Sequence, residues 1–258
     1  MKTTPLGDKI KGLESVTNMT LSGSYVARLD GKGFSRYCKG LKKPFDDGFR
    51  TLMLEVTKHL VQYSGASLGY TQSDEITLVF ENLNHWWGGR VQKIVSDLAT
   101  EATLIFNQNR PNHINNPSNG KFDCRVFGVT ADEAFEALQW RVEDCFTNAI
   151  SMIAQSRFSH TELEKKSTTS KIIMLREIGV DWKSFPSEYI WGWVVKNFSI
   201  EREFTTEELE TLPPMHNARV NPDLLFTRKL VKAIPMPKIG SIGDKIEFIF
   251  GKNEASLK

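Results

Sequence analysis

The chain has 258 residues, enough for one elaborated domain or two small ones. Hydrophobic residues make up 40% and charged residues 25%, the balance of a globular protein with a full core. Lys and Arg number 33 against 31 Asp and Glu, so the net charge of +2 excludes a polycation, and any nucleic-acid contact must come from a local basic cluster.

The three cysteines, Cys38, Cys124 and Cys145, form no C-x-x-C pair. That argues against a structural zinc site or a disulfide framework and fits a reducing, cytoplasmic setting. Residues 1–11 lack the apolar stretch of a secretory leader, and no run is apolar and long enough for a membrane helix. His59, His85, His160 and His216 show no metal-ligand spacing.

In chain order, Ser24 to Asp30 reads as a short buried strand ending at Gly31, with Gly31 to Arg36 as a loop. The Asp46-Asp47 pair after Pro44 marks a helix start, because carboxylates favour the positive end of the helix dipole. Phe49, Leu52, Met53, Val56 and Leu60 carry that helix to about Tyr63. Ser67 to Gln72 and Ile76 to Phe80 read as two strands joined by a tight hairpin, Ser73-Asp74-Glu75. A second helix follows through Val91, Ile94, Leu98, Ala102 and Phe106, then a polar loop from Arg110 to Gly120. Phe122 to Val129 reads as a fourth strand. Thr130 and Glu133 form a capping box for a helix with Phe135, Leu138, Val142, Phe146 and Ile150 on one face. Beyond Ser159 the expectation is helical pieces and a strand from Tyr189 to Lys196.

Strand, helix, strand, strand, helix, strand is the order of a ferredoxin-like split βαβ sheet within an α+β fold. Its right-handed crossover makes the first two strands parallel, so Asp30 and Asp74 are expected at one sheet edge. Two close carboxylates repel each other and invite a hard cation, chiefly magnesium. Two such ions can serve phosphoryl transfer, with Lys32, Arg36, Lys42, Lys43, Arg90 and Lys93 at hand for phosphates. Read alone, each aspartate is more often an ordinary turn residue. Gly31-Lys32-Gly33 lacks the Walker spacing.

Several segments, in order, carry a family resemblance. They are Arg28-Leu29-Asp30-Gly31-Lys32-Gly33-Phe34-Ser35, Lys43-Pro44-x-Asp46-Asp47, Gln72-Ser73-Asp74-Glu75 and Trp86 to Lys93. Phe122-Asp123-Cys124-Arg125, Trp140-Arg141-x-x-Asp144-Cys145, Lys171 to Leu175 and Gly179 to Trp182 follow. Together they resemble the tRNA(His) guanylyltransferase superfamily, 3′-to-5′ polymerases that extend RNA 5′ ends. The resemblance spans about residues 20–197.

It implies a polymerase-type palm over residues 1–158, with helical C-terminal additions over residues 159–258 packed on the same unit. Asp30, the Gly31 carbonyl and Asp74 would hold two Mg2+ ions, with Glu75 as a third important acid. Asp30, Gly31, Lys32, Gly33, Phe34, Ser35 and Ser73 would contact a nucleoside triphosphate. Lys43, Asp46, Arg90, Lys93, Arg125 and Lys171 match positions lining the family's nucleotide and triphosphate sites. ATP, GTP and other NTPs would be substrates, tRNA or a similar RNA the partner, and a homotetramer the assembly. By the same resemblance, ATP adenylylates a 5′-monophosphate, and the 3′-hydroxyl of an incoming triphosphate then displaces AMP.

One departure separates this chain from the eukaryotic branch. After Asp-Cys, where that branch has His-Ile-Asn-Asn, this chain reads Phe146-Thr147-Asn148-Ala149, so only Asn148 is kept as an RNA-facing position. It looks more like the Thg-like branch, which adds nucleotides templated by base pairing. His113-Ile114-Asn115-Asn116 spells the same four letters inside the polar loop and reads as loop chemistry. The competing readings are a palm-type nucleotidyl cyclase or ordinary polymerase, and an RNA-binding module with a degenerate site.

Overall fold

A computed structural model describes residues 9, 19–82, 86–221 and 223–252. His85 lies outside them, as do residues 1–11 apart from residue 9.

Strand β1 spans Tyr25–Gly31, and the loop expected after it contains one helical turn, α1, Phe34–Tyr37. Helix α2, Asp47–Ser64, is capped by the Asp46 carboxylate, which accepts from the Phe49 amide. Its buried stripe of Phe49, Leu52, Met53, Val56 and Leu60 follows the spacing read from the sequence. Strands β2, Leu68–Gln72, and β3, Glu75–Phe80, meet at a two-residue turn, so Glu75 belongs to the strand. Helix α3, Val91–Asn109, buries Ile94, Leu98, Ala102 and Phe106. Strand β4 is Phe122–Gly128. Helix α4, Ala131–Gln155, begins at the Thr130–Glu133 capping box.

All pairings are antiparallel in one six-stranded sheet of order β4-β1-β3-β2-β5-β6. Because β1 and β2 both run opposite to β3, they are parallel to each other, as the crossover argument requires. Alternation along β1 splits the core into two layers. Ala27, Leu29, Ile76 and Leu78 pack with the apolar stripes of α2 and α3. Val26, Tyr70, Val79 and Val194 pack on the other face with Phe135, Leu138 and Val142 of α4. Asp30 is four residues beyond Val26, so its side chain follows the α4 face.

The C-terminal third corrects two expectations. Helices α5, His160–Leu163, and α6, Thr168–Glu177, are followed by α7, Ser187–Trp191, where a strand was expected. The strand β5 starts only at Trp193 and runs to Glu203. Gly192 makes the break at φ 81°, and a Cβ there would stand 2.7 Å from the Tyr70 hydroxyl. The additions are also not simply helical. Strand β6, Leu225–Pro235, pairs with β5 along its full length, and these two 11-residue strands extend the sheet beyond β2. Two short helices, α8 (Thr206–Thr211) and α9 (Asn217–Val220), cap their connection, and α10, Lys245–Phe250, closes over the α4 face. No helix among the described residues is long and apolar enough to cross a membrane.

Candidate active site

The strand register builds the site. Asp30 pairs with Glu75 on one side and Asp123 on the other, so three carboxylates stand in a row across one sheet face. The Gly31 amide donates to the Asp74 carbonyl at 3.1 Å, which fastens the end of β1 to the β2–β3 turn. Positions 30 and 74 therefore share one rim. Ser73 takes a left-handed conformation at φ 51°, and its hydroxyl reaches the Asp74 carboxylate at 3.1 Å. A non-glycine residue there tightens the turn at some conformational cost.

Cations are distributed unevenly along the row. Arg141, buried in α4, forms an ion pair with Glu75 and another with Asp144 at 3.1 Å. Asp123 has Arg125 at 3.7 Å. Among the described residues, neither Asp30 nor Asp74 is in an ion pair, although the Arg28 guanidinium is close enough to feel the Asp30 charge. Burial pushes the Asp74 carboxyl up, and the nearby Asp30 charge adds to that shift. Two carboxylates outside any ion pair, with backbone oxygen between them, suit a hard divalent cation. The described residues hold no group of three or more His, Cys, Asp or Glu side chains arranged for an ion, so the donor set rests on these two and the backbone.

Gly31 is fixed by packing. A Cβ would lie 2.5 Å from the Phe34 ring and 2.8 Å from the Asp74 Cβ. Gly31→Ala is expected to cost about 1–3 kcal/mol through overpacking and to displace Asp74. Urea unfolding checks this, and a Gly31→Ala protein with wild-type stability would contradict the packing argument.

A cleft of about 670 Å³ opens from the rim. Its walls include Asp30, Ser35, Lys43, Asp46, Ser73, Asp74, Glu75 and Asn148, so most of the predicted site residues are brought together. Lys42, one of the cations expected at hand for phosphates, joins them, as does Lys39, which the sequence did not single out. Gly31, Lys32 and Gly33 form the chain between the rim and α1. Lys171 sits at the margin, its ammonium on the Ser151 hydroxyl at 2.9 Å.

Five predicted contacts change in character. The Phe34 ring is 2% exposed and packs among Tyr37, Phe49, Phe106 and Phe122, leaving only its backbone for a ligand. Both Asp46 oxygens are taken, by the Phe49 amide at 2.8 Å and the Lys42 amide at 3.0 Å, so Asp46 shapes the lysine-bearing loop. Arg125 lies opposite Arg28 on the β4 edge, outside the cleft. Arg90 and Lys93 are not brought to the rim at all. They start α3, beside the end of β3 farthest from Glu75, where Lys93 lies over Trp87 at 5.2 Å. β3 runs from Glu75 away from the rim, so the helix start that follows it in sequence falls at the opposite end of the strand.

The far end of the cleft comes from residues that sequence reasoning missed. Tyr189 of α7 stacks on Phe45 at 4.6 Å, and Arg50 lies over Tyr189 at 4.8 Å while pairing with Glu188 at 3.3 Å. Arg50 Nε, Gln72 Oε1 and Trp193 Nε1 are buried without hydrogen-bond partners, so this wall keeps polar capacity in reserve. Only the pairing of β5 with β2 brings these positions together. The Cys38 thiol also lines the cleft, but burial and then Asp74 and Asp46 push it to about 12, so it offers no thiolate near neutral pH.

Three residues of the His113-Ile114-Asn115-Asn116 segment are structural. His113 contacts Glu55 at 2.8 Å, Ile114 is buried, and the Asn116 amide donates to the Tyr37 carbonyl at 2.9 Å.

Residues 7–130 match the family model described as tRNAHis guanylyltransferase (Thg1). The tRNA(His) guanylyltransferase of Schizosaccharomyces pombe is 26% identical over 216 residues, covering 77% of this chain and 83% of that protein. The solved structure of a bacterial tRNA(His) guanylyltransferase (Thg1)-like protein in complex with ATP is 31% identical, with a TM-score of 0.67 over 74% of this chain and 86% of that one. A bacterial Thg1-like structure in complex with GTP is 27% identical, with a TM-score of 0.65 over 88% of this chain and 91% of that one.

Proposed function

Because the chain belongs to the tRNA(His) guanylyltransferase superfamily of nucleotidyltransferases, we propose that it adds nucleotides in the 3′-to-5′ direction to the 5′ end of tRNA or a similar RNA. The observation that carries this reading is the shared rim of Asp30 and Asp74, set at the mouth of a cleft large enough for a nucleotide. The β4-β1-β3-β2 order with α2 and α3 on one face supports a ferredoxin-like, polymerase-type palm. Structures of bacterial Thg1-like proteins with ATP and with GTP support nucleoside triphosphates as substrates.

In this reading Asp30, the Gly31 carbonyl and Asp74 hold Mg2+, which when bound supplies charge stabilisation at the phosphoryl oxygens. Lys39, Lys42 and Lys43 place point charges along the cleft for the triphosphate. Asp46 fixes the loop that carries two of them. Arg141 pairs with Glu75 and fixes its side chain in the row, which leaves Asp30 and Asp74 as the carboxylates available to the ion. The 5′-monophosphate first attacks the α-phosphate of ATP or GTP and releases pyrophosphate, and the 3′-hydroxyl of the incoming triphosphate then attacks the activated 5′-phosphate and displaces AMP or GMP. The enzyme works as a homotetramer in the same proposal.

Template-directed repair is favoured over addition of a single extra guanosine. Phe146 stands where the eukaryotic branch has its histidine. Its ring stacks on Trp191 at 4.9 Å and meets Trp182 edge-on at 5.1 Å. A ring committed to packing cannot serve as an imidazole contact, so base pairing with the opposite strand is left to choose the nucleotide. The test offers each NTP singly, with Mg2+, to a tRNA lacking its first 5′ nucleotide. The expected result is 5′ extension by the nucleotide complementary to the opposing base. Extension at the 3′ end, cyclic nucleotide from NTP alone, or RNA binding without extension would each replace this reading.

A further inference from the structure

Beside the nucleotide cleft, on the other side of the α1 turn, lies an open groove lined by Lys32, Arg36, Lys39, Asn115 and Ser118. It shares Ser35, Lys39, Gly40 and Leu41 with the cleft, so the two run into each other across one thin wall. No Asp or Glu lines it. Among the described residues, Lys32, Arg36 and Lys39 form no ion pair. This is a concentration of uncompensated positive charge in a chain whose net charge is only +2. A protein with so little overall charge that handles a polyanion needs such a local cluster.

Both walls are held in place. The Lys32 amide donates to the Lys121 carbonyl at 2.7 Å. Asn116 donates to the Tyr37 carbonyl at 2.9 Å and accepts from the Ser118 amide at 2.9 Å, clamping the 113–118 loop to α1. Arg110 braces the same loop through the Pro117 carbonyl at 3.0 Å and the Asn119 side chain at 3.1 Å. With these backbone groups satisfied internally, the side chains of Arg36 and Asn115 remain for a ligand.

We propose that this groove binds the sugar-phosphate backbone of the RNA substrate and leads its end past the α1 turn to the Asp30–Asp74 rim. Three cations and an amide donor along an acid-free channel match a run of phosphates, with Arg36 supplying the two-point grip that lysine lacks. The inference rests on the proposed nucleotide-addition function for its choice of RNA. A free triphosphate shares the phosphate chemistry, but it is placed in the adjoining cleft, which Arg36 and Asn115 do not line.

The test measures binding of a 5′-truncated tRNA and, separately, of GTP, across a series of salt concentrations, for wild type, Arg36→Ala and Asn115→Asp. Each variant is expected to weaken RNA binding about three- to tenfold near 0.1 M salt, and Arg36→Ala to lower the slope of log Kd against log salt by about one. GTP binding should not change. Wild-type RNA affinity and slope in both variants would overturn the proposal. Weaker GTP binding with unchanged RNA binding would overturn it too, assigning the groove to a free triphosphate. Failure of the wild type to extend any RNA, with the variants still weakened in RNA binding, would strike the proposed reaction and leave the groove standing.

Discussion

Asp30→Ala and Asp74→Ala are each expected to lower 5′ nucleotide addition by about a thousandfold or more, the scale on which removal of charge-stabilising groups acts. Asp30 is half-buried and its carboxylate is in no ion pair among the described residues, so its removal leaves the fold intact. Asp74 gives its backbone carbonyl to Gly31, and alanine keeps that hydrogen bond. Circular dichroism and urea unfolding should therefore match wild type while product formation disappears. Activity within tenfold of wild type in either variant would remove that carboxylate from the chemistry.

Arg141→Ala is expected to destabilise the protein by about 3–5 kcal/mol, because it strands the carboxylate of Glu75 at a largely covered position. Arg141 is 3% exposed and serves both Glu75 and Asp144. A companion variant, Arg141→Met with Glu75→Leu, is expected to recover much of that stability while remaining inactive, since it removes both charges together. Urea midpoints separate the two. An Arg141→Ala protein within about 1 kcal/mol of wild type would mean that Glu75 is neutralised by something other than this arginine.

The elements that surround the rim were legible because each carries a strong local signal. The stripe from Phe49 to Leu60 has helical spacing, Thr130 and Glu133 form a capping box, and the strands on either side of Ser73-Asp74 are short and apolar. The meeting of Asp30 with Asp74 followed from the crossover rule alone. The C-terminal third resisted for physical reasons. Tyr189 to Val195 carries no charged residue and reads as one apolar run, so its period does not separate the helix α7 from the strand β5, and the boundary depends on one glycine conformation. Strand β6 sits at the sheet edge with most of its residues exposed, and Arg228, Lys229 and Lys232 break any alternation. Arg141 could be read only as a motif letter, because its partner Glu75 lies on another element far away in sequence. The lysines of the cleft loop were visible as charges, but their role depends on Asp46 holding the loop, which is a tertiary fact.

The competing readings differ in what they ask of this geometry. A cyclase or an ordinary polymerase would use the same rim, so the carboxylate variants cannot distinguish them, and the position of the new bond must. An RNA-binding module with a degenerate site would not need Asp30 and Asp74 at all. The carboxylate pair is thus where the account is most exposed.

A titration with Mn2+ read by electron paramagnetic resonance, comparing wild type with the Asp30→Asn, Asp74→Asn double variant in the presence of a non-hydrolysable GTP analogue, addresses that pair directly. Protein-bound Mn2+ is expected in the wild type and should be lost, or weakened by about a hundredfold or more, in the double variant, as the two anionic ligands become neutral amides. Equal binding of the ion by both proteins would show that these carboxylates do not hold it, and the proposed chemistry at the rim would fall.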